Sequence, residues 1–440
     1  MATLSPFCRE APKGSGAAAE ATADFSLGIL RYHTSLGNSV EKPQALLLEG
    51  VHPDAAAHLQ KKGFAVACRP GAPSEAQLRR LLKGVSLLGV RSRTVLSRVA
   101  LREADALLAV GAFCVGTDNL DLDAATDRGV AVFNAPYSNT RSVAELVVGE
   151  VIMLLRRVFD KSRLLHEGVW DKSSGGAHEV RGKTLGIIGY GNIGGQAGLL
   201  AEAMGMRVIY FDLLEKLSLG NARRCSSLGE VLRQADVVTL HVDDRPENQN
   251  LIGERELRHM KKGAALINAS RGRVVDIQAL ARALRRGFLG GAGADVFPSE
   301  PAANGRGFDS PLRGLANVIL TPHVGGSTQE AQRNIAAYVC EKLVNYVRMG
   351  DSFYSVNFPQ VQLPVMRRSH RVLHIHRNVP GVMSQINTVL ASHGINITGQ
   401  YLETNERIGY AITDIGREYD KGVLKSLEGI SETIRLRVLF

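Results

Sequence analysis

Three ionisable side chains in the second half of the chain are suited to moving a proton next to a carbonyl group. Each belongs to the end of an apolar run: Arg271 follows AALINAS, Glu300 follows GAGADVFPS, and His323 ends NVILTPH. His323 can give a proton to a carbonyl oxygen, because its reference pKa of roughly 6.5 suits both protonation states near neutrality. Glu300 beside it would favour the imidazolium and fix the tautomer. Arg271 can bind a substrate carboxylate through two parallel hydrogen bonds.

A glycine-rich motif precedes these residues. In LGIIGYGNIGG, Gly189, Gly191 and Gly194 form G-x-G-x-x-G directly after an apolar run and at the start of a helical stretch. The first glycine permits a tight turn, the second lets a pyrophosphate approach the backbone, and the third packs helix on strand. Asp212 ends the next apolar run, MRVIYFD. Its carboxylate would bind ribose hydroxyls and repel a 2′-phosphate, so the motif predicts NAD rather than NADP.

The apolar runs predict the elements that position these side chains. From QALLLEG onward, short apolar runs alternate with amphipathic helical stretches, and a second such series begins at KTLGIIGYG. This βαβα alternation is typical of parallel sheets, and we expect two doubly wound α/β domains in sequence. In such sheets the carboxyl ends of the strands converge on one crevice. Arg271, Glu300 and His323 are therefore expected to meet there.

Two long helical stretches connect the expected domains. One, from SNTRSV to GVW, would bridge the two lobes, and the other, STQEAQRNIAAYVCEKLVNYVRMG, ends at Gly350 and would return to the first lobe. Residues 351–369 contain two prolines and no periodicity, which indicates a linker. The predicted domains are a flexible extension at 1–40, a discontinuous substrate-binding domain at 41–138 and 327–366, an NAD-binding domain at 139–326 and a C-terminal domain at 367–440.

The C-terminal domain has the pattern of a small βαββαβ unit. RVLHIH, INITGQYLET, IGYAITDI and TIRLRVLF predict strands, PGVMSQINTVLASHG predicts a helix from Pro380, and DKGVLKSLEGI predicts a second helix. This order is that of a ferredoxin-like fold. His374 and His376 share one face of the first strand, but no further metal ligands occur at recognisable spacing. We therefore expect no metal.

Composition limits the class of protein. The formal net charge is +10, yet the basic residues are largely scattered, so we expect neither nucleic acid nor a membrane as partner. The longest apolar run, around AELVVGEVIMLL, is interrupted by Glu150 and is too short for a membrane span. The five cysteines form no CxxC pair, and the N-terminal segment lacks the apolar core of a secretory signal. These features favour the cytoplasm.

The placement of the glycine motif in the second α/β unit resembles the D-2-hydroxyacid dehydrogenase family. The ordered Arg271, Glu300 and His323 match the catalytic triad of that family, whereas formate dehydrogenases, similar in fold, would have Gln in place of Glu300. The resemblance implies an NAD site, with Asp295 on the nicotinamide carboxamide. Its residues would be Gly189, Gly191, Asn192, Ile193, Gly194, Asp212, Ala269, Ser270, Arg271, Asp295, His323, Val324, Gly325 and Gly326. One departure is Asp243, where the family usually has Pro.

The first lobe bears on the substrate. Arg91, Ser92 and Arg93 in GVRSRT stand at the end of an apolar strand, where two guanidinium groups and a hydroxyl could bind a phosphate dianion. A basic turn of this kind can equally be an ordinary exposed loop. Segments such as LLLEGVH, FCVGTDNLDLD and FNAPYSNTRSVAELV, however, resemble the branch of the family that oxidises 3-phospho-D-glycerate to 3-phosphohydroxypyruvate in serine synthesis.

Within that branch, the chain is most similar to the short bacterial form with one C-terminal ACT domain. The resemblance implies inhibition by L-serine bound at His376, Asn378 and, across a domain interface, Asn396. It also implies a homotetramer, a second activity on 2-oxoglutarate, and contacts of Trp170 and Lys172 with a neighbouring subunit.

Other functions stay open from the sequence. One is a different NAD-dependent reductase of the family, acting on hydroxypyruvate, glyoxylate or 4-phosphoerythronate. Another is an NAD-sensing binding protein similar to the C-terminal-binding corepressors, which share the fold and the triad. Nucleic-acid binding through the positive charge is a third, and it would show a steep salt dependence. Turnover of phosphorylated and unphosphorylated substrates separates the first two from the main prediction.

Overall fold

The computed structural model describes residues 42–301, 304–364, 369–416, 419 and 421–439. The predicted extension at 1–40 and the predicted boundary between 366 and 367 lie outside these residues. Three sheets of five, seven and four strands organise the described chain. The domain boundaries themselves stay a prediction.

The first sheet is parallel, with the strand order β2-β1-β3-β4-β5. Its strands are β1 (Gln44–Leu47), β2 (Ala65–Cys68), β3 (Val85–Val90), β4 (Ala109–Ala112) and β5 (Ala131–Phe133). The helices between them are α1 (Pro53–Lys61), α2 (Glu75–Leu81), α3 (Arg98–Arg102) and α4 (Leu122–Asp127). The apolar pattern did not indicate β2, because it is an edge strand with mostly exposed side chains.

The second sheet is also parallel and has the order β12-β11-β10-β9-β6-β7-β8. Its strands are β6 (Thr184–Ile188), β7 (Arg207–Phe211), β8 (Arg223–Arg224), β9 (Val237–Leu240), β10 (Ala265–Asn268), β11 (Gly291–Ala294) and β12 (Val318–Leu320). The helices are α7 (Asn192–Ala203), α8 (Leu228–Gln234), α9 (Glu254–His259) and α10 (Ile277–Arg285), with 3₁₀ turns at Pro246–Asn248 and Gly272–Val274. The strand order reverses beside β6, where doubly wound sheets bind dinucleotides.

Three helices connect the sheets: α5 (Thr140–Arg156), α6 (Val158–His166) and α11 (Gln329–Met349). The bridging stretch is helical, and it consists of two helices, because Arg157 adopts a left-handed conformation with a φ of 54° and separates α5 from α6. A helical period runs through this point without Gly or Pro, so the sequence hides the break. As predicted, α11 returns to the first lobe, where it packs against α1 and β4.

The third sheet is antiparallel, with the order β14-β15-β13-β16. Its strands are β13 (His370–Arg377), β14 (Ile397–Thr404), β15 (Ile408–Ile415) and β16 (Thr433–Leu439), and its helices are α12 (Val382–Ser392) and α13 (Lys421–Glu428). This is the predicted βαββαβ order. The predicted start of α12 at Pro380 is wrong by two residues, because Gly381, with a φ of 92°, is the N-cap.

The segment predicted as a linker, 351–369, packs against the first lobe over residues 351–364. It has no helix or strand, in agreement with the prediction, but Phe358 is buried in the core of the first lobe. The Asn357 side chain accepts a hydrogen bond from the Val132 N–H over 2.8 Å. A buried, hydrogen-bonded segment is not a free linker, and this part of the prediction is wrong.

Arginines of the third sheet hold the carboxyl end of α11. Arg371 is 1% exposed, is paired with Asp414 over 2.6 Å, and donates to the Met349 carbonyl over 3.0 Å. Arg437 donates to the Val347 carbonyl over 2.8 Å. The last carbonyls of a helix have no intrahelical partner and carry a partial negative charge, so both cations stabilise this end. The third sheet also contributes apolar side chains to the core of the first lobe.

One acidic side chain lies inside the second lobe. Glu150 of α5 has no solvent exposure, and neither of its carboxyl oxygens has a hydrogen-bond partner among the described residues. It packs against Gly293 of β11, where any side chain would overlap the carboxyl group. Burial raises the pKa of Glu150 to about 8, with a further contribution from the negative charge of Asp295. Glu150 is therefore a neutral acid at pH 7.

Candidate active site

His323 and Glu300 form a pair at the carboxyl ends of the second sheet. The imidazole Nδ1 lies 2.9 Å from a carboxylate oxygen of Glu300. This hydrogen bond raises the pKa of His323, against the opposing effect of burial. Burial alone would raise the pKa of Glu300, but the hydrogen bond and charge of His323 hold it below its usual value. Because Nδ1 faces Glu300, Nε2 is the nitrogen that can face a substrate.

A tight turn after β12 presents His323 to the cleft. The residue has a φ of 54°, in the left-handed region, and its side chain is 48% exposed. Asp295 holds this turn: its carboxylate accepts hydrogen bonds from the N–H groups of Val324 and Gly325, each over 2.8 Å, and from the Thr321 hydroxyl over 2.6 Å. The structure thus gives Asp295 a role in shaping the turn, beside its predicted role at the nicotinamide.

Arg271 reaches across the cleft from the second lobe to the first. Its Nε lies 3.5 Å from a carboxylate oxygen of Asp118, and its Nη1 donates to the Ser270 carbonyl over 2.9 Å. The guanidinium lies against Gly116, where a Cβ would come within 2.6 Å of Nη2. Asp118 was not among the predicted site residues, since an exposed loop carboxylate carries no signal of its own in the sequence.

The glycine motif forms a turn with room for a diphosphate. Gly189 has a φ of 88°, and a Cβ there would overlap the His241 carbonyl oxygen. A Cβ at Gly194 would overlap the Gly189 carbonyl, whereas a Cβ at Gly191 would meet open space. Asn192 and Ile193 begin α7, whose amino end has no side-chain cap. Its free N–H groups and positive dipole suit a pyrophosphate, so the residues present fit a dinucleotide.

Asp212 stands at the end of β7, beside this turn. Its two carboxylate oxygens accept hydrogen bonds from the Tyr190 N–H over 2.8 Å and the Leu214 N–H over 2.9 Å. In the same sheet, Ala269 and Ser270 follow the last residue of β10, and the Ser270 hydroxyl donates to Asn268 over 2.8 Å. The predicted cofactor residues therefore lie along the carboxyl edge of one sheet.

We expect Asp212→Ala to raise the ratio of kcat/KM with NADP to kcat/KM with NAD by about tenfold or more, because the substitution removes a charge that repels a 2′-phosphate. The measurement is initial rates with both cofactors. Asp236→Ala, a carboxylate at the opposite end of the same sheet, is the control. An unchanged ratio in the Asp212 variant would refute the ribose role.

The loop of Arg91, Ser92 and Arg93 follows β3 at the carboxyl end of that strand in the first lobe. Arg91 is half-buried, while Ser92 and Arg93 are exposed. Charges of this region act on the thiol of Cys114. Burial raises the pKa of the thiol to about 12, the negative charge of Glu49 raises it further, and the positive charges of Arg91 and Arg271 lower it. Arg91 and Arg271 therefore both lie within electrostatic range of Cys114.

The predicted effector residues divide into two groups. His376 is buried at the end of β13, where its Nδ1 lies 2.8 Å from the Arg377 carbonyl and its Nε2 has no partner among the described residues. Asn378 follows it and donates to the Asn405 carbonyl over 2.7 Å. Asn396 precedes β14, whose first residue is level with the beginning of β13. Asn396 therefore lies at the opposite end of the sheet from His376.

Three remaining sequence features have clear positions. Asp243, in place of the usual Pro, accepts hydrogen bonds from Arg245 over 2.7 Å and from Asn248 over 2.8 Å, which close the loop on itself. Trp170 is 80% exposed and Lys172 is exposed as well.

Within the described ranges, no cluster of three or more His, Cys, Asp and Glu side chains is arranged to hold a metal ion. The helices of the same residues include none with the length and apolar character needed to cross a bilayer.

Comparison with protein families finds two matches. Residues 148–325 match the NAD-binding domain of the D-isomer-specific 2-hydroxyacid dehydrogenases. Residues 372–435 match an ACT domain of the type found in acetohydroxyacid synthase small subunits. The two matches coincide with the second and third sheets.

Relatives similar over most of the chain have one name in common. D-3-phosphoglycerate dehydrogenase of Escherichia coli K12 is 48% identical over 403 residues, which are 91% of this chain and 98% of the relative. The protein of that name from Dictyostelium discoideum is 46% identical over 400 residues, again 91% and 98% of the two chains. D-3-phosphoglycerate dehydrogenase 1 of Saccharomyces cerevisiae is 44% identical over 410 residues.

Solved structures match the first two lobes. D-2-hydroxyisocaproate dehydrogenase is 26% identical with a TM-score of 0.64, and the match covers 71% of this chain and 99% of that one. A D-lactate dehydrogenase from Aquifex aeolicus, solved with NAD and lactic acid, is 27% identical with a TM-score of 0.61, covering 69% and 95% of the two chains.

Proposed function

Because the chain belongs to the D-3-phosphoglycerate dehydrogenases, NAD-dependent enzymes of the D-isomer-specific 2-hydroxyacid dehydrogenase family, we propose that it oxidises 3-phospho-D-glycerate to 3-phosphohydroxypyruvate in serine synthesis. The observation that carries the proposal is the His323–Glu300 pair, 2.9 Å apart, in a cleft that Arg271 spans. NAD, when bound, accepts the hydride from C2 of the substrate.

In this proposal the residues of the chain handle the proton and the charges. Neutral His323 takes the hydroxyl proton at Nε2 as the C2–O bond becomes a carbonyl, and Glu300 at Nδ1 stabilises the imidazolium that forms. Arg271 binds the substrate carboxylate and polarises the C2 oxygen. In the reverse direction the imidazolium returns the proton to that oxygen. The raised pKa of His323 favours the protonated state that this reduction requires.

The other end of the substrate would lie at the first lobe. Arg91, Ser92 and Arg93 would supply two cations and a hydroxyl for its phosphate. Trp170 and Lys172, exposed on their own chain, would contact the site of a neighbouring subunit in a homotetramer. The described cysteines are free thiols, in keeping with our proposal of a cytoplasmic enzyme.

The test is NADH formation from 3-phospho-D-glycerate and NAD, compared with D-glycerate under the same conditions. A phosphate-binding loop predicts that the phosphorylated acid is preferred by about two orders of magnitude or more in kcat/KM, since charge-assisted contacts distinguish the two. Equal rates would instead indicate a hydroxypyruvate or glyoxylate reductase. NADH binding without turnover of either acid would indicate a sensing protein. Reduction of 2-oxoglutarate is measured in parallel.

We further propose that L-serine inhibits this reaction at the ACT domain. The unpaired Nε2 of His376 and the nearby Asn378 would bind the effector. Because Asn396 lies at the other end of its own sheet, a site containing all three residues requires the Asn396 of a second copy. Effector binding would thus depend on oligomer formation.

We expect His376→Ala to raise the L-serine concentration for half-maximal inhibition by about tenfold or more, since a buried hydrogen-bonding group is lost. Inhibition curves at fixed 3-phosphoglycerate provide the measurement. His393→Ala changes a partly exposed histidine just after α12, which contacts the Ser426 hydroxyl over 3.2 Å; it is the control and is expected to match the unmodified protein. Equal inhibition curves for all three proteins would remove His376 from the effector site.

A further inference from the structure

Glu49 lies beneath the loop of Arg91, Ser92 and Arg93. One of its carboxylate oxygens accepts hydrogen bonds from the N–H groups of Arg91, over 3.2 Å, and Thr94, over 2.8 Å. The other accepts from the N–H of Arg93 over 3.0 Å. Three backbone donors of one loop therefore converge on a single carboxylate.

This carboxylate is buried and its backbone is constrained. Glu49 is 3% exposed and has a φ of 60°, a left-handed conformation that is uncommon for a residue other than glycine. Hydrogen bonds to carboxylate acceptors are stronger than those between neutral groups. The guanidinium of Arg93 lies 3.7 Å from the same carboxylate, so Glu49 also forms an ion pair with one arginine of the loop.

The opposite side of the loop is held by Asn119. Its side-chain amide donates to the carbonyl of Arg91 over 3.1 Å and to that of Thr94 over 2.6 Å. Glu49 thus binds the donors of the loop backbone and Asn119 binds its acceptors. Because the N–H groups of Arg91, Arg93 and Thr94 are used in this way, an anion at the loop would be bound by the side chains of Arg91, Ser92 and Arg93 and by the N–H of Ser92.

A negative charge under an anion-binding loop weakens the attraction of that loop for phosphate. Glu49 can still favour phosphate binding if the ordering of the loop side chains outweighs the weaker electrostatic attraction. We propose that Glu49 is a positioning residue, which fixes the backbone of residues 91–94 so that their side chains are arranged for the phosphate of the substrate. The inference rests on the proposed function, because it assigns the loop to the phosphate of 3-phosphoglycerate.

The experiment compares Glu49→Gln with the unmodified full-length protein. The NH₂ group of the glutamine side chain would face a backbone N–H of the loop in place of an accepting oxygen. The glutamine therefore cannot accept all three hydrogen bonds. We expect the KM for 3-phosphoglycerate to rise by about tenfold or more, kcat at saturation to fall by less than about threefold, and the KM for NAD to stay the same. Glu103→Gln, an exposed glutamate of the same lobe paired with Arg79, is the control and should leave all three values unchanged.

A purely structural role predicts another pattern. A partly unfolded population lowers apparent kcat with the KM for 3-phosphoglycerate unchanged, and that result would overturn the inference. If Glu49→Gln does not fold, Glu49→Asp replaces it, since its shorter carboxylate cannot reach all three donors. A severalfold rise in KM for that variant supports the proposal, and an unchanged KM overturns it. Absence of 3-phosphoglycerate oxidation by the unmodified protein would instead refute the proposed function.

Discussion

Replacing His323 by alanine is expected to lower kcat for 3-phosphoglycerate oxidation by about a thousandfold, within the range by which general acid–base groups accelerate proton transfer. The variant leaves the hydroxyl proton without an acceptor, because Glu300 is oriented toward Nδ1 of His323 rather than toward the cleft. The NAD site that we propose lies mainly on the glycine turn and on Asp212, so NADH affinity should change by less than about threefold. Steady-state rates and NADH fluorescence titration measure the two quantities.

Glu300→Gln is the companion variant. The hydrogen bond with Glu300 is the first cause of the raised pKa of His323, so its loss as a charged partner lowers that pKa. Oxidation requires neutral His323, and its acidic limb should therefore move to lower pH in the glutamine variant. Near-normal kcat in His323→Ala, or an unmoved limb in Glu300→Gln, would show that another group accepts the proton.

The second large effect is expected for Glu150→Gln, and it concerns stability as a function of pH. The pKa of Glu150 is about 8 in the folded protein, against a reference value of 4.5. Below pH 4.5 the carboxyl is neutral in both states. Between these two pKa values only the unfolded chain ionises, so the free energy of unfolding falls as the pH rises toward 8. Above pH 8 both states are ionised, and Glu150 causes no further change. The loss is on the order of several kcal/mol.

Glutamine is nearly isosteric with the neutral acid and cannot ionise. We therefore expect the melting temperature of the second lobe to fall between pH 6 and pH 9 in the unmodified protein, and to fall by several degrees less in Glu150→Gln. Glu145→Gln, an exposed position on the same helix paired with Arg141, should behave like the unmodified protein. Parallel melting curves for all three proteins across this range would mean that Glu150 does not titrate there.

The elements that position Arg271, Glu300 and His323 could be predicted because their signals are local. Buried parallel strands such as β6 and β9 appear as short apolar runs, and the spacing of Gly189, Gly191 and Gly194 specifies a strand, a turn and a helix. The convergence of strand ends then brings Arg271, Glu300 and His323 to one edge. These three residues were found without any knowledge of their distances.

Residues whose role depends on distant chain segments could not be found in this way. Glu49 and the loop at 91–94 are separated by more than 40 positions, and a glutamate after an apolar strand gives no sign that three N–H groups lie above it. Asn119 is separated from the same loop by a helix and a strand. The left-handed Arg157 is likewise hidden, because its neighbours have ordinary helical propensity. Such contacts are consequences of the assembled fold.

The arginines that hold the end of α11 also bear on the order in which the chain is made. The first lobe begins with β1, yet its core includes α11 and apolar residues of β13, β15 and β16. Arg437, which donates to the Val347 carbonyl, belongs to the last strand. During synthesis from the amino end, this core stays incomplete until almost the whole chain has left the ribosome. A prematurely terminated chain that lacks the ACT domain would expose apolar surface and be open to proteolysis, so unregulated fragments of the enzyme should not accumulate.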